Sequence, residues 1–404
     1  MDFVENEFDV IIVGAGPAGA QCARELVKKG YKVLLIEKSK EIGEPNFSSV
    51  GTTDYTMEEF GIPQDVIADY WDGFLGVGPT KQVLWEYQKL RGYVLQFNKL
   101  KRFLISDGEE HGLEVYVGTA VTEPVIENGK VVGVAYAGIE KGEVTAKIIV
   151  DASGPPGVIA SKVGLRPAVL SASTVALEYI MDNITFPRPH TLEFYAGPSW
   201  LLNGYAWIFP FGEKQAKVGV IVYDSSEHAS HDALIDLLKG FIEKIPWLAS
   251  AQPLELHGSS LYITGGIDHH VKDNVVVIGD AAAQINPLVA EGIRHALRSG
   301  RMAAESIDEV LKTGDTNKLT SYQEKWKSYV ASKWKTSELF AQIIYHKLTD
   351  NQWDDALVLI KELTPEELFD IVFEFEFKRG LRLLPKAIMH MPLDIANDIR
   401  TALS

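Results

Sequence analysis

Residues 9–38 read DVIIVGAGPAGAQCARELVKKGYKVLLIEK, and the rest of the fold is predicted to be organised around them. The β-formers at residues 10–13 are too apolar for a half-exposed strand, so they predict a strand buried on both faces of a parallel sheet. Three glycines follow at once: Gly14, Gly16 and Gly19. Small and apolar residues then recur at helical spacing until Gly30, which is placed like a helix C-cap. A second apolar run ends in Glu37, so the stretch predicts strand, glycine-rich turn, helix and a second strand with a terminal acid.

Each glycine of the turn has its own physical task in a nucleotide-binding unit. Gly14 permits the tight turn, Gly16 lets a pyrophosphate approach the backbone, and Gly19 lets the helix pack close to the strand. The helix N-terminus offers unpaired N–H groups and a partial positive charge to the anion. Glu37 is placed to accept hydrogen bonds from ribose hydroxyls. The unit therefore predicts a bound dinucleotide; its place near the N-terminus favours FAD, but the residues alone leave FAD and NAD both open.

Composition limits the classes of protein to which the chain can belong. Its 404 residues are enough for two or three structural units, and a hydrophobic fraction of 46% is ordinary for a globular protein. The formal net charge of −16 argues against nucleic acid as a partner. We find no secretory signal at the N-terminus and no uninterrupted run of about 18 apolar residues. A single cysteine, Cys22, is compatible with a reducing compartment, so we predict a cytoplasmic protein without a transmembrane helix.

The rest of the chain is predicted to add two parts to the nucleotide-binding unit. Residues 148–150 and 274–278 are again short buried strands followed by small residues, which returns the chain to the parallel sheet. Between them, alternating runs predict a mostly antiparallel sheet with one embedded helix at about residues 231–244. The pattern becomes helical from about residue 315. We therefore predict an α/β protein (α+β overall): a Rossmann-like domain with an inserted antiparallel-sheet substrate domain and a C-terminal helical region.

The predicted boundaries follow these changes of pattern. The nucleotide-binding domain is discontinuous and comprises residues 1–165 and 265–312. The antiparallel-sheet substrate domain comprises residues 166–264, and the C-terminal helical region comprises residues 313–404. Residues 39–80 are predicted to be loop-rich, and they either lie over the carboxyl ends of the strands or form a plain surface loop.

Motifs at three places in the chain together resemble the FAD-dependent oxidoreductases of the aromatic-hydroxylase type. They are GAGPAG at residues 14–19, DASG at residues 151–154 and GDAAAQINPLVAEGI at residues 279–293. Within that group, GYAWIFP at residues 204–210 is similar to the YxWxFP signature of the geranylgeranyl reductases. The resemblance covers roughly residues 8–310, and it implies FAD as the cofactor.

The resemblance implies a role for each matching residue. The residues that it places around the cofactor are Gly14, Gly16, Ala18, Gly19, Glu37, Lys38, Ala120, Asp280, Gly292 and Ile293. Glu37 would bind the adenosine ribose with Lys38 beside it, and Ala120 would offer its backbone to the adenine. Asp280 would approach the ribityl chain and the pyrophosphate. The backbone at residues 292–293 would face the isoalloxazine ring, where a helix N-terminus suits the negative charge of the reduced flavin.

The substrate cavity is expected from the same resemblance. Tyr205 and Trp207 would line it beside the flavin, or else both are ordinary aromatic residues of a sheet core. A prenyl chain offers few polar groups, so we expect an apolar tunnel, for which Phe209 and residues 200–202 are further candidates. His295 lies three residues past Gly292 and could face the site, but a place on the surface of its helix is the favoured prediction. No metal site is predicted.

Two departures from the family pattern concern the chemistry of the site. Many relatives carry a cysteine in the loop where this chain has Asn-Phe-Ser-Ser at residues 46–49, and an arginine where it has Val94 and Leu95. The missing cysteine removes one proton donor or redox partner near the flavin. The sequence therefore names no side-chain acid for the reaction.

The resemblance also bears on the partners. The sequence has no second glycine-rich βαβ unit, so we expect electrons from NADPH or NADH that binds transiently, or from a ferredoxin-like protein. The substrate would be a hydrophobic, prenyl-type molecule. Residues 325–335, KWKSYVASKWK, are basic and aromatic, and two interpretations stay open for them. They either rest on a membrane as a peripheral contact, or form a solvated helix face with extended lysines.

The activity implied is the reduction of C=C double bonds in an isoprenoid, geranylgeranyl-type chain on a lipid, quinone or diphosphate. Reduced flavin would give the hydride. The main alternative is an FAD-dependent monooxygenase that hydroxylates an aromatic or polyene substrate. A non-redox flavoprotein such as a carotenoid cyclase, and a flavin-binding protein without catalysis, are the remaining hypotheses.

Overall fold

The computed structural model of the chain describes residues 7–167, 174–223, 231–263, 265–383, 385 and 392–403. Within these ranges the strands are β1 (Glu7–Val13), β2 (Val33–Ile36), β3 (Gly51–Thr53), β4 (Ile67–Trp71), β5 (Gly73–Val77), β6 (Gln82–Glu86), β7 (Gly92–Leu95), β8 (Glu114–Tyr116), β9 (Thr119–Glu127), β10 (Lys130–Gly138), β11 (Gly142–Asp151), β12 (Thr174–Asp182), β13 (Thr191–Ala196), β14 (Gly204–Pro210), β15 (Ala216–Val222), β16 (Gln252–Leu261), β17 (Val271–Lys272) and β18 (Val275–Val277). The helices in the same ranges are α1 (Pro17–Val27), α2 (Asp54–Phe60), α3 (Phe97–Glu109), α4 (Val158–Lys162), α5 (His231–Glu243), α6 (Ile293–Thr313), α7 (Thr320–His346), α8 (Asp350–Ile360), α9 (Pro365–Val372) and α10 (Leu393–Leu403). Parts of the predicted domain boundaries, residues 168–173 and 264, lie outside the described residues.

The first sheet is built around β1. Its strands run in the order β17-β18-β11-β1-β2-β8, and β10 and β9 extend it from β11. β1 pairs in parallel with both β11 and β2, and β18 and β8 continue the parallel set. Val10, Ile11 and Ile12 of β1 are completely buried, because core clusters cover both faces of the strand. The buried parallel strand that the apolar run predicts is therefore confirmed.

The glycine-rich turn between β1 and α1 packs tightly against the neighbouring backbone. Gly14 has a φ of +103°, and a Cβ atom there would stand 2.4 Å from the carbonyl oxygen of Ala152. A Cβ atom on Gly19 would stand 2.1 Å from the carbonyl oxygen of Gly14. Since no side chain fits at either position, both glycines are required by the fold itself.

The second sheet runs in the order β16-β12-β15-β14-β13-β5-β6. Its neighbours are antiparallel except for β13 and β5, which pair in parallel. Helix α5 packs on one face through Leu234, Leu238 and Phe241. The fold class predicted from the sequence is confirmed. The sheet also takes β5 and β6 from inside residues 1–165, so the division of the chain into domains stays a prediction.

Residues 39–80 contain more regular structure than expected. Strand β3, helix α2, strand β4 and strand β5 all lie in this range, so the loop-rich prediction is wrong for its second part and holds for residues 39–50. β3 and β4 pair with the later strand β7 in a three-stranded antiparallel sheet. Strands of three and five residues are too short to show an alternating pattern, and their partner is supplied by a distant segment.

The C-terminal helices close over both sheets. In α7, Trp326 and Trp334 are 1% and 3% exposed and pack into the core beside α1 and α6. Lys325 and Lys333 point outward to acidic partners, Glu305 at 3.2 Å and Glu376 at 2.6 Å. The tryptophans of residues 325–335 therefore belong to the protein core and not to a membrane contact. No helix in the described ranges is long and apolar enough to span a membrane.

Candidate active site

A cleft lies between the carboxyl ends of the parallel strands and one face of the second sheet. On the first side it is lined by Gly16, Pro17, Ala18, Ala152, Gly154, Gly279 and Asp280. On the second side it is lined by Ala176, Leu192, Phe194, Tyr205, Trp207, Phe209, Ile221, Ser259 and Leu261. The segments at residues 47–51 and 289–293 complete it. Carboxyl ends of parallel strands are the usual place for a ligand in such sheets, because the connecting loops diverge there.

Gly16 is the one glycine of the turn whose missing side chain leaves open space. Nothing lies within 4 Å of the point where its Cβ atom would stand. Gly16 is also the N-cap of α1, and no side chain caps that end of the helix. Its backbone and that of Ala18 border the cleft. The turn therefore offers a cradle with positive helix-end potential, which suits a phosphate group.

Glu37 ties the turn to the end of β2. Its Oε2 accepts the N–H of Ala15 at 2.8 Å, and its Oε1 accepts the N–H of Ser39 at 2.8 Å. Lys38 beside it is exposed. Ala120 stands next to Thr119, whose N–H donates to the Glu37 carbonyl at 3.0 Å. The structure thus gathers Glu37, Lys38 and Ala120 beside the glycine-rich turn, outside the residues that line the cleft.

Asp280 lines the cleft directly after β18. Burial raises the pKa of its carboxyl group to about 6. A Cβ atom on Gly292 would stand 3.9 Å from Asp280 Oδ1, so this carboxyl group faces the N-terminus of α6. The structure therefore brings three predicted cofactor residues, Asp280, Gly292 and Ile293, to one part of the cleft.

Helix α6 presents its N-terminus to the cleft. Gly292 is its N-cap, no side chain caps it, and both Gly292 and Ile293 line the cleft. The helix is 21 residues long, so its aligned peptide dipoles place a partial positive charge at that end. Such an end stabilises negative charge that develops on a ligand in the cleft.

The opposite wall is aromatic and held in place by the protein. Tyr205 donates from its hydroxyl group to the Val289 carbonyl at 2.9 Å, which joins the second sheet to the segment before α6. The indole of Trp207 lies across Gly219, where a Cβ atom would stand 2.2 Å from the ring. Trp207 Nε1 is buried and has no hydrogen-bond partner among the described residues. Tyr205 and Trp207 therefore face the cleft, as does Phe209.

Some sequence expectations about the site are wrong. Trp200 packs against Tyr195 and Phe241, with ring centroids 5.0 and 6.2 Å apart, on the α5 side of the sheet, and Leu201 lies in the same cluster. Leu202 is exposed. His295 is 1% exposed and is not a surface residue, because aromatic side chains of the C-terminal region cover it. Within the described ranges, no cluster of three or more His, Cys, Asp or Glu side chains is placed to hold a metal ion.

Comparison with known proteins finds a matching family for segments on each side of the cleft. Residues 9–169 match the FAD dependent oxidoreductase family, and residues 173–260 match the geranylgeranyl reductase catalytic domain. A digeranylgeranylglycerophospholipid reductase of Haloferax volcanii is 31% identical over 389 residues, which is 90% of this chain and 92% of that protein. The chain belongs to the geranylgeranyl reductase family. A protein of Methanocaldococcus jannaschii with the same name is 31% identical, over 96% of this chain and 98% of its own.

A solved structure agrees with this membership of the geranylgeranyl reductase family. It is a geranylgeranyl bacteriochlorophyll reductase-like protein from Thermoplasma acidophilum, which superimposes with a TM-score of 0.88. The two sequences are 26% identical, and the match covers 98% of this chain and 99% of the other. As a family member, the protein is an FAD-dependent oxidoreductase that acts on C=C bonds. The open space at Gly16 and the uncapped N-terminus of α6 fit the pyrophosphate and the ring of FAD.

The sequence did not predict that residues of the C-terminal region help to form the cleft. Val372 and Phe373, at the end of α9, line the cleft. Tyr345 of α7 stacks on Tyr223 with ring centroids 4.8 Å apart, and its ring lies 5.6 Å from that of Tyr205. The apolar residues of these helices signal a buried face, but their sequence does not name the surface that they cover.

Proposed function

We propose that the protein reduces C=C double bonds in the geranylgeranyl chains of a glycerophospholipid, by hydride transfer from reduced FAD. The main support for this proposal is that the glycine-rich turn and the N-terminus of α6 line the same cleft as the aromatic wall of the second sheet. An isoprenoid chain has almost no polar atoms, so an apolar wall is the surface that binds it best. The names of the relatives from Haloferax volcanii and Methanocaldococcus jannaschii support this substrate class.

Each part of the cleft has a task in this reaction. When bound and reduced, FAD supplies the hydride. The backbone around Gly16 would hold the pyrophosphate, and the N-terminus of α6 would stabilise negative charge on the ring. Tyr205 and Trp207 would press the alkene against the ring and exclude water from the reacting carbons.

An anaerobic turnover experiment tests the proposed function. The holoenzyme is reduced with dithionite, mixed with a digeranylgeranyl glycerophospholipid, and the lipid is analysed by mass spectrometry. We expect the lipid mass to rise in steps of two hydrogens while the flavin is reoxidised. An unchanged lipid, together with a hydroxylated product when oxygen and aromatic or polyene substrates are added, would replace the proposal with the monooxygenase alternative.

The electron donor and the route to the lipid are part of the proposal. Reducing equivalents would come from NADPH or NADH that binds transiently, or from a ferredoxin-like protein, because the sequence carries no second glycine-rich βαβ unit. Anaerobic bleaching of the flavin by each reductant in turn distinguishes them. The protein would meet its lipid at a membrane surface, and co-sedimentation with vesicles of the substrate lipid tests that contact.

Two tryptophans on opposite faces of the second sheet give a matched test of the substrate wall. Trp207→Ala is expected to lower kcat/KM for the lipid by about 10- to 100-fold, because a large apolar contact with the chain is lost. Trp200→Ala removes the same side chain from the α5 face and is expected to leave kcat/KM nearly unchanged. Steady-state kinetics of both variants decide the matter, and equal losses would contradict the placement of the substrate.

A further inference from the structure

A buried pair of opposite charges lies on the cleft face of the second sheet. Glu178 of β12 and Lys217 of β15 are 0% and 1% exposed, and Lys217 Nζ stands 3.8 Å from Glu178 Oε1. The ammonium group also donates to the carbonyl of Ser48. Such a pair is costly to bury and does not by itself indicate a stabilising role, so its position beside the cleft calls for a functional account.

The pair reaches the cleft through one hydroxyl group. Ser49 Oγ donates to Glu178 Oε2 at 2.8 Å, and Ser49 itself lines the cleft. The other oxygen, Glu178 Oε1, is buried without a hydrogen-bond partner among the described residues. In the sheet, Glu178 of β12 lies opposite Gly219 of β15, and Gly219 in turn lies opposite Trp207 of β14. Ser49 and Glu178 therefore stand beside the part of the cleft where the alkene is expected.

The pair also has a route to solvent. His257 of β16 is directly opposite Glu178 in the antiparallel register, where facing side chains lie within contact distance. Nδ1 of His257 is buried and unpartnered in the described part of the chain, while its Nε2 stands 3.1 Å from Glu255 Oε2. The Glu255 side chain is 54% exposed. Glu255 at the surface, His257 and Glu178 thus occupy neighbouring positions between water and the cleft.

We propose that Glu255, His257, Glu178 and Ser49 form a proton-delivery path for alkene reduction, with Lys217 holding the Glu178 carboxylate in place. The inference rests on the proposed function, because reduction of a double bond needs a proton as well as a hydride. Burial lowers the pKa of Lys217, which makes its ammonium group readier to share a proton with Glu178.

When bound and reduced, FAD would supply the hydride for one new C–H bond, and the O–H bond of Ser49 breaks as its proton forms the second C–H bond. Ser49 regains a proton from the buried pair of Glu178 and Lys217, and His257 returns one to that pair. Glu255 and water reload His257. One double bond therefore takes up two electrons from reduced FAD and one proton from solvent.

Single-turnover kinetics test the path. The holoenzyme is reduced with dithionite under anaerobic conditions, and flavin reoxidation by the digeranylgeranyl lipid in micelles is followed. Ser49→Ala and His257→Ala are expected to slow reoxidation by about 100-fold, the usual contribution of a positioned general acid. Ser49→Thr keeps a hydroxyl group and is expected to keep most of the rate. Added imidazole is expected to restore the rate of His257→Ala, which a merely structural role would not allow.

A second buried carboxylate provides the control. Glu193 lies in the same sheet but bonds Tyr195 on the opposite, α5 face, so Glu193→Gln is expected to reoxidise at the wild-type rate. Flavin content and lipid binding are measured for every variant. If wild type and Ser49→Ala react equally fast, or imidazole does not rescue His257→Ala, the proton-delivery path is refuted while the proposed function still stands. If wild type itself does not react with the lipid, the proposed function falls, and the path with it.

Discussion

Gly16→Val is expected to fold, with a loss of about 1 kcal/mol at the N-cap of α1, and to be isolated without FAD. The backbone of Gly16 is extended, with φ −65° and ψ 170°, so any residue adopts it. The added side chain meets no protein atom within 4 Å at its Cβ position and instead occupies the cradle in the cleft. Hydrogen bonds to charged groups contribute about 1.5–3 kcal/mol each. Loss of two such bonds to the pyrophosphate weakens FAD binding about 100-fold or more.

Visible flavin absorbance of the purified variant and its thermal unfolding measure this outcome. Gly240→Val is the matched control, because Gly240 lies in α5 away from the cleft and its Cβ position is equally free of contacts. That variant is expected to retain FAD. Gly14→Val provides the contrast, since its Cβ atom would clash with the Ala152 carbonyl and impair folding. Retention of FAD by Gly16→Val would show that the turn does not hold the pyrophosphate.

Arg294→Ala is expected to lower the free energy of unfolding by about 3–5 kcal/mol, the cost of leaving a buried charge without its partner. Arg294 is 1% exposed, and its Nε donates to Glu291 Oε1 at 2.8 Å. It also bonds the hydroxyl group of Tyr55 in α2 and the carbonyl of Phe373 at the end of α9. The single guanidinium group thus joins α6, α2 and the C-terminal region at the edge of the cleft.

The pH dependence of this loss follows from the pKa of Glu291. Burial by itself would raise that pKa, but the charges of Arg294 and His295 outweigh burial and hold it well below the usual 4.5. A depressed pKa stabilises the fold above the unfolded value, and the stabilisation is lost as the pH falls. The difference between wild type and Arg294→Ala is therefore expected to shrink below about pH 4.5.

Urea denaturation at pH 7 and pH 4 measures both statements about Arg294. Arg379→Ala is the control, since Arg379 pairs with Asp370 at 3.4 Å on the surface and its side chain is 62% exposed. Exposed pairs contribute little, so this variant is expected to unfold almost like wild type. A loss at Arg294 no larger than that at Arg379 would contradict the role assigned to the buried network.

The parts of the protein that depend on local sterics could be predicted from the amino-acid sequence. Gly14 and Gly19 are dictated by neighbours that are close in the chain or in the adjoining strand, so their spacing specifies the turn. Strand β14, residues Gly204–Pro210, and helix α5 were both located from local patterns of side chains. Local patterns of this kind gave the fold class, and the motifs at residues 14–19, 151–154, 204–210 and 279–293 indicated FAD and the family through their resemblance to known flavoproteins. Each of these features lies within one short segment.

The face of each helix or strand that lines the cleft could not be predicted without the three-dimensional structure. Trp200 and Trp207 are equally aromatic, yet they lie on opposite faces of the second sheet, because Trp200 precedes β14 and turns towards α5. His295 is buried, since distant C-terminal residues cover α6. Glu178 and Lys217 are separated along the chain and meet only through the pairing of β12 with β15. Contacts between distant segments are set by packing, which leaves no local pattern in the sequence.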